Sequence, residues 1–227
     1  MKLREGMPTW VLMGACALAC IAGMVNVVGY MGFEHQGITH LTGTTTLLGE
    51  AFSGGNWQAS AQLAAMILAF MFGAMLSGLI VQDTRLKLGR RYGIALALES
   101  ALLVAAASMF KEASIVGPLL AAVACGLQNA IATTYSGALV RTTHLSGLFT
   151  DIGIAIGHAL RGCPLQFRRI QLSVLTIGAF LLGCMAGAAL FRHFSYDALY
   201  VPALWTGIVG TGYALYHHYK FSRHEQY

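Results

Sequence analysis

Two segments hold the densest polar chemistry in the chain: THLTGTTTLLGE (39–50) and THLSGLFTDIGI (143–154). Each begins with an imidazole, His40 or His144, and follows it with a hydroxyl and a glycine, Thr42-Gly43 or Ser146-Gly147. Imidazole titrates near neutrality and suits proton coupling, while clustered hydroxyls can coordinate an ion or hold a polar solute. Read as helices, Thr39, Thr42, Thr46 and Gly49 fall on one face, and Thr143, Ser146, Thr150 and Gly153 repeat it. A neighbouring stripe carries His40 and Gly43 in the first segment, and His144, Gly147 and Asp151 in the second. Asp151 follows His144 by seven residues, two helical turns, so the two could interact.

A plainer reading stands beside each of these. Hydroxyls and glycines are also what close helix packing in membranes uses, and for the Thr/Ser stripe both readings stay open. Gly43 and Gly147 suit a close approach or a helix break under either. A single membrane histidine is often a hydrogen-bonded packing residue. Two at equivalent places favour a function, because ionisable groups at membrane depth are costly and lie in protein interiors or aqueous cavities. Asn26 and Asn129 can glue helices together or satisfy interrupted backbone, and Gln128 adds a polar group beside Asn129. Glu50 can reach water past Ser53-Gly54-Gly55, whereas Glu99 lies within ALALESALL with no evident partner.

The elements that must position these groups are hydrophobic. The 227 residues are 56% hydrophobic and 10% charged, and the mean hydropathy is +0.64. Six apolar runs, at 10–31, 61–81, 92–110, 115–138, 172–191 and 199–219, each approach the roughly 20 residues that a membrane-crossing helix needs. The net charge of +5 resides in short connectors, as membrane topology requires, and nucleic-acid binding is not expected. The basic start MKLR resembles a signal peptide, but the apolar run continues to Met31, which indicates a retained first helix. Cys16, Cys20, Cys125, Cys163 and Cys184 show no C-x-x-C pairing and imply neither a disulfide framework nor a zinc site. His217, His218 and His224 read as part of a solvated tail.

The chain repeats itself. Gly23-x-x-Asn26 matches Gly126-x-x-Asn129 at an offset of 103, the His segments match at 104, and Ala69-Phe70-x-x-Gly73 matches Ala179-Phe180-x-x-Gly183 at 110. Each unit holds one long helix, a short motif segment (41–53 or 144–160), then two more long helices. If the motif segments enter and leave by the same side, only Lys111 and Arg192 of the fourteen basic residues fall outside. If they cross fully, the connector DTRLKLGRR (83–91) faces outward with its four basic residues. The expected fold is an all-α membrane protein: six transmembrane helices plus two short re-entrant or broken helices in an inverted 3+3 repeat. It forms one membrane domain over 1–227, with units 10–110 and 115–219 and both termini cytoplasmic. Sites in such repeats lie near the midplane, where interrupted helices expose backbone groups.

The combination Gly23-x-x-Asn26, His40-x-Thr42-Gly43, Gly126-Leu-Gln-Asn129-Ala130 and Thr143-His144-x-Ser146-Gly147-x-x-Thr150-Asp151-x-Gly153 resembles the YoaK family over about residues 10–215. The resemblance implies a bacterial inner-membrane protein and supplies no substrate, since that family's domain is catalogued as of unknown function. Relatives often carry an acid where this chain has Asn26, and an Asn where it has Thr44; a proton carried on that acid would have no counterpart here.

The leading expectation is a small secondary transporter or exporter, proton-coupled in its fullest form. His40, His144 and Asp151 would handle protons or ions, Thr42, Thr46, Ser146 and Thr150 would line the path, and Asn26 and Asn129 would hold interrupted backbone. A non-transporting scaffold or sensor is the alternative. An enzyme is not expected: Tyr135-Ser136-Gly137 lacks the preceding Gly of a nucleophile elbow, and His40, His144 and Asp151 make a metal triad only by count. No cofactor or metal is implied. The expected partners are the lipid bilayer and a small solute or ion, with a homo-oligomer allowed.

Overall fold

The computed structural model describes residues 9–33, 37–81, 90–112, 114–136, 142–165 and 167–224. Among them every regular element is helical: α1 (Thr9–Gly32), α2 (Leu41–Ser53), α3 (Trp57–Ile80), α4 (Arg90–Lys111), α5 (Val116–Ser136), α6 (Leu145–Leu160), α7 (Phe167–Phe194) and α8 (Tyr200–His224). A 3₁₀ turn, Ser195–Leu199, joins the last two. Lys2, Arg4, Arg85, Lys87 and Arg141, which enter the charge comparison, lie outside the described residues.

Five stretches are long and apolar enough to cross a bilayer: Leu12–Gly32, Trp57–Ile80, Arg91–Lys111, Val116–Thr134 and Phe167–Gly212. The last is 46 residues long and takes in α7, the 3₁₀ turn and the first half of α8. The chain is a multi-pass membrane protein. By contrast α2 has 13 residues and α6 has 16. At 1.5 Å per residue they reach about 20 and 24 Å, short of the ~30 Å hydrocarbon core.

The two short helices end alike. Gly55 (φ +71°) and Gly162 (φ +76°) adopt the left-handed conformation that closes a helix. Gly55 and Asn56 donate their N–H groups to the Phe52 and Ala51 carbonyls, as Gly162 and Cys163 do to those of Ala159 and His158. Asn56 then caps α3 by accepting from the Ala59 N–H at 3.1 Å, and Phe52 meets Trp57 edge to face across the turn. A glycine-closed turn of this kind returns the chain at once, so α2 packs against α3. The same arrangement places α6 against α7.

The long helices pack in a crossed pattern: α1 lies on α7, α3 on α5, and α4 on both α5 and α8. Glycines set the first two contacts. A Cβ at Gly23 would overlap the Phe180 carbonyl, and one at Gly126 would overlap that of Phe70. Likewise Gly183 sits on the Cys20 carbonyl and Gly73 on that of Val123. Gly183 meets Cys20 and Gly187 meets Met24, so α1 and α7 run in the same direction. Without hydrophobic drive between helices in lipid, such backbone approach is what lets dispersion hold them. At the end of the bundle Tyr196 stacks on Phe110 with centroids 4.8 Å apart, its hydroxyl donates to the Gly32 carbonyl, and Lys111 pairs with Asp197.

Two glycines therefore predict opposite outcomes. Gly126→Ala drives a methyl into the Phe70 backbone and should destabilise the protein by about 1–3 kcal/mol. Gly153, in α6, has open space around it, so Gly153→Ala should be neutral or raise stability by up to ~1 kcal/mol through helix propensity. Thermal unfolding in detergent compares the two. Equal effects would contradict the packing described.

Candidate functional site

The two His segments come together. Neither histidine lies within a helix: His40 and His144 are the residues immediately before α2 and α6, with nearly equal backbone angles (φ −93°, ψ 62° and φ −91°, ψ 59°). The expectation of one helical face running from Thr39 to Gly49, and from Thr143 to Gly153, is corrected accordingly. Thr39 and Thr143 precede their helices, so only the later members of each stripe share a face.

Local interactions explain why the chain turns here. Asn26, in α1, accepts from both the Thr39 N–H (3.0 Å) and the Thr39 hydroxyl (2.9 Å). In the second half the Thr143 hydroxyl donates to Asn129 Oδ1 at 3.4 Å. Asn26 is six residues before the end of α1 at Gly32, so the chain has already turned back along α1 when α2 begins. Gly43 and Gly147 make room for the imidazoles. A Cβ at Gly43 would fall 2.7 Å from His40 Nδ1, and one at Gly147 would overlap the His144 ring. Each ring therefore folds over the first turn of its own helix.

Between the helix starts lies a cavity of about 690 Å³. Its lining pairs residues of the two halves: Asn26 with Asn129, Thr39 with Thr143, His40 with His144, Leu41 with Leu145, Thr42 with Ser146, and Phe70 with Phe180. Ala74, Ala130, Thr133 and Thr134 complete it. Among the described residues the lining holds no Asp, Glu, Lys or Arg. Its electrostatics come from dipoles. The first N–H groups of a helix lack intrahelical acceptors and carry about half a positive charge. Neither His40 nor His144 bonds to those amides through its side chain, so two helix N-termini offer donors to the cavity.

Of the residues singled out in the sequence, Asn26, Asn129, His40, His144, Thr42 and Ser146 line this cavity, while Gly43 and Gly147 support its two imidazoles. Thr46 and Thr150 do not line it. They are exposed one turn further on, their hydroxyls donating to the Thr42 and Ser146 carbonyls at 3.0 and 2.9 Å. Asp151 is also elsewhere, 2.9 Å from Arg169 on α7, in a separate pocket of about 130 Å³ that includes His158. Glu99 is not in the lining. Sequence reasoning missed Leu41, Leu145, Ala74, Thr133 and Thr134 as lining, and with them the aromatic pair Phe70 and Phe180, although the last two belong to the repeated Ala-Phe-x-x-Gly motif that could have drawn attention to them.

Two measurements probe this geometry. Asn26→Leu strands the buried Thr39 N–H and should cost about 1–3 kcal/mol in thermal unfolding. Asn129→Leu, which among the described residues loses one longer bond, should cost less; the reverse order would refute the assigned hydrogen bonds. The Asp151–Arg169 pair is half-exposed, and a double-mutant cycle should give a coupling of at most ~1 kcal/mol.

No curated protein and no solved structure matches the chain. A family profile described as "Protein of unknown function (DUF1275)" matches residues 14–212. That match spans nearly all of the membrane helices and both His segments, consistent with the YoaK-like motifs read from the sequence, and the chain belongs to the DUF1275 family.

Proposed function

We propose that this protein is a small secondary transporter or exporter whose substrate site is the cavity between the two helix starts. The observation that carries the reading is the composition of that cavity, in which both halves contribute an imidazole, a hydroxyl, an amide and a helix N-terminus. Thr42 and Ser146 are the hydroxyls best placed to touch a solute, since both are exposed and neither donates to a hydrogen bond in the structure's described contacts. His40 and His144 would accept or donate hydrogen bonds beside them. With positive helix ends and no Asp, Glu, Lys or Arg among its described lining residues, the cavity suits a small solute or ion presenting an acceptor-rich or negatively charged group.

The fold supports alternating access. Under this reading α2 and α6 are re-entrant, α7 and α8 count as two crossings, and units 10–110 and 115–219 form an inverted repeat in the bacterial inner membrane. Supporting it, contacts exchange between the halves with the offsets of the repeat: Gly23 on Phe180 answers Gly126 on Phe70, and Gly183 on Cys20 answers Gly73 on Val123. Inverted repeats of this kind place substrate between discontinuous helices at midmembrane. The reading makes the protein a carrier and not an enzyme, with the bilayer and a small solute as its partners.

A thermal-shift screen of small anions and zwitterions on the detergent-purified protein tests the proposal. A transported solute at a hundredfold excess over its Kd should stabilise by about 2.7 kcal/mol, and the gain should shrink in His40→Gln and His144→Gln. A solute whose stabilisation survives both substitutions binds elsewhere. Topology supplies an independent check. Reporter fusions after Arg169 and at the C-terminus should read cytoplasmic and those near Glu112 and Asp197 external; an external reading after Arg91 would sink the re-entrant assignment.

A further inference from the structure

Glu99 stands apart from the cavity and from every ion pair in the described structure. It lies in α4 and is 2% exposed, and its Oε2 is buried with no hydrogen-bond partner. Across the α4–α5 hairpin, Gly117 packs against Phe110. Eleven residues before Phe110 is Glu99, and eleven after Gly117 is Gln128, so the antiparallel register sets the two level. Gln128 is 1% exposed, and its Nε2 also has no partner. Two buried polar side chains, each with an unsatisfied atom, thus share one depth of one interface.

Among the described side chains, the neighbouring helices offer no counter-charge. On α5 the titratable group near this level is Cys125, which is within electrostatic reach of Glu99. α3, which also touches α4, has no titratable side chain. α8 meets this part of α4 with Gly207 and Gly210 and with the Ala203 carbonyl, which accepts from Ser100 at 2.7 Å. At the end of α4 Lys111 is engaged by Asp197 of the 3₁₀ turn, twelve residues and about 18 Å along the helix from Glu99. A carboxylate buried without a counter-charge is expensive, whereas a carboxylic acid can pair with an amide, giving its O–H to one oxygen and accepting an N–H.

We infer that Glu99 is a proton-binding site whose occupancy is linked to the central cavity through α5. With its proton, the acid complements Gln128 and the α4–α5 interface closes. On release the O–H bond breaks, its electron pair stays on the carboxylate and the proton leaves on a water molecule. The resulting charge then demands water between the two helices. Gln128 adjoins Asn129, which lines the cavity, so parting α4 from α5 moves a wall of the site. The linkage rests on the transport reading, but the proton site does not.

The test uses full-length protein in lipid nanodiscs. Infrared spectra at neutral pH should show a protonated-carboxyl C=O band that is lost in Glu99→Gln, shifts in frequency in Gln128→Leu and fades at high pH. A hydrophobic carbodiimide should label Glu99 at neutral pH and lose reactivity as pH rises. Absence of both signals in wild type would mean an ionised, paired Glu99 and overturn the proposal. Protection by sodium at constant pH would overturn it in favour of a cation site. For the linkage, maleimide labelling of Thr42→Cys in a background lacking the native cysteines should change rate across the same pH range, and Glu99→Gln should abolish that change. A rate independent of pH would refute the linkage. If the solute screen finds nothing while the infrared band is present, the transport reading fails and the proton site stands.

Discussion

Hydrocarbon offers no hydrogen bonds, so backbone that leaves a helix inside a membrane must find its partners within the protein. Under the proposed reading, in which α2 and α6 are re-entrant, the segments around Thr39 and Thr143 are the places where this chain meets that demand. Asn26 is a local answer: one side-chain oxygen takes both the N–H and the hydroxyl of Thr39, which fixes where α2 can begin. The far ends of α2 and α6 close with glycine turns that satisfy their own last carbonyls. The near ends receive no such closure from His40 or His144. The amide donors left over at the two helix starts are what give the cavity its chemistry. The interruption that burdens the fold is thus also the origin of the site.

Packing divides the protein into firm and lightly held parts. The cavity walls come from α1, α3, α5 and α7, locked by glycine-to-carbonyl contacts that leave no room for a methyl group. The short helices are held otherwise: among the described residues α2 packs mainly on α3 and α6 mainly on α7, with Leu145 also reaching the Ala19–Ala22 side of α1 and much of each helix exposed. Elements with few contacts open at lower free energy than a core. Under the proposed reading this division suits a carrier, whose walls must define a solute while its entrances move. It also explains why α3 and α7 matter twice, as walls of the cavity and as the supports on which the short helices ride.

Much of this architecture was legible in the sequence, for identifiable reasons. Apolar runs of membrane length announce long helices directly, and the doubled T-H-L-[ST]-G pattern located both short helices to within a residue or so. Ser53-Gly54-Gly55 marked the end of the first short segment, and α2 ends at Ser53 as expected. Other features depend on three-dimensional register. Helical periodicity swept Thr39, His40, Thr143 and His144 into faces they do not share, because a capping residue and its helix look continuous in one dimension. Asp151 was paired on paper with His144, two turns away, whereas its partner Arg169 lies on the next helix, 18 residues on. Nor could spacing show that Phe70 and Phe180 would meet at the cavity, since the crossing of α3 with α5 and of α1 with α7 brings them there.

That the described lining holds no Asp, Glu, Lys or Arg has a physical logic under the proposed reading. A lysine or arginine in the cavity would bind an anion strongly, but whenever the site stood empty it would be a charge at membrane depth, at a cost of several kcal/mol. Helix amides impose a smaller burden. Their partial charges are fixed by backbone that the fold has already ordered, and amides and hydroxyls are cheaper to desolvate than ions. Attraction from two half-charges is also weaker than from one full cation, which favours release as much as capture. Selectivity must then come from shape, and Phe70 and Phe180 are the rigid surfaces available to set it. A buried acid kept outside this lining, as Glu99 is, can change its charge without repelling the solute directly, so its influence has to pass through the packing of α5.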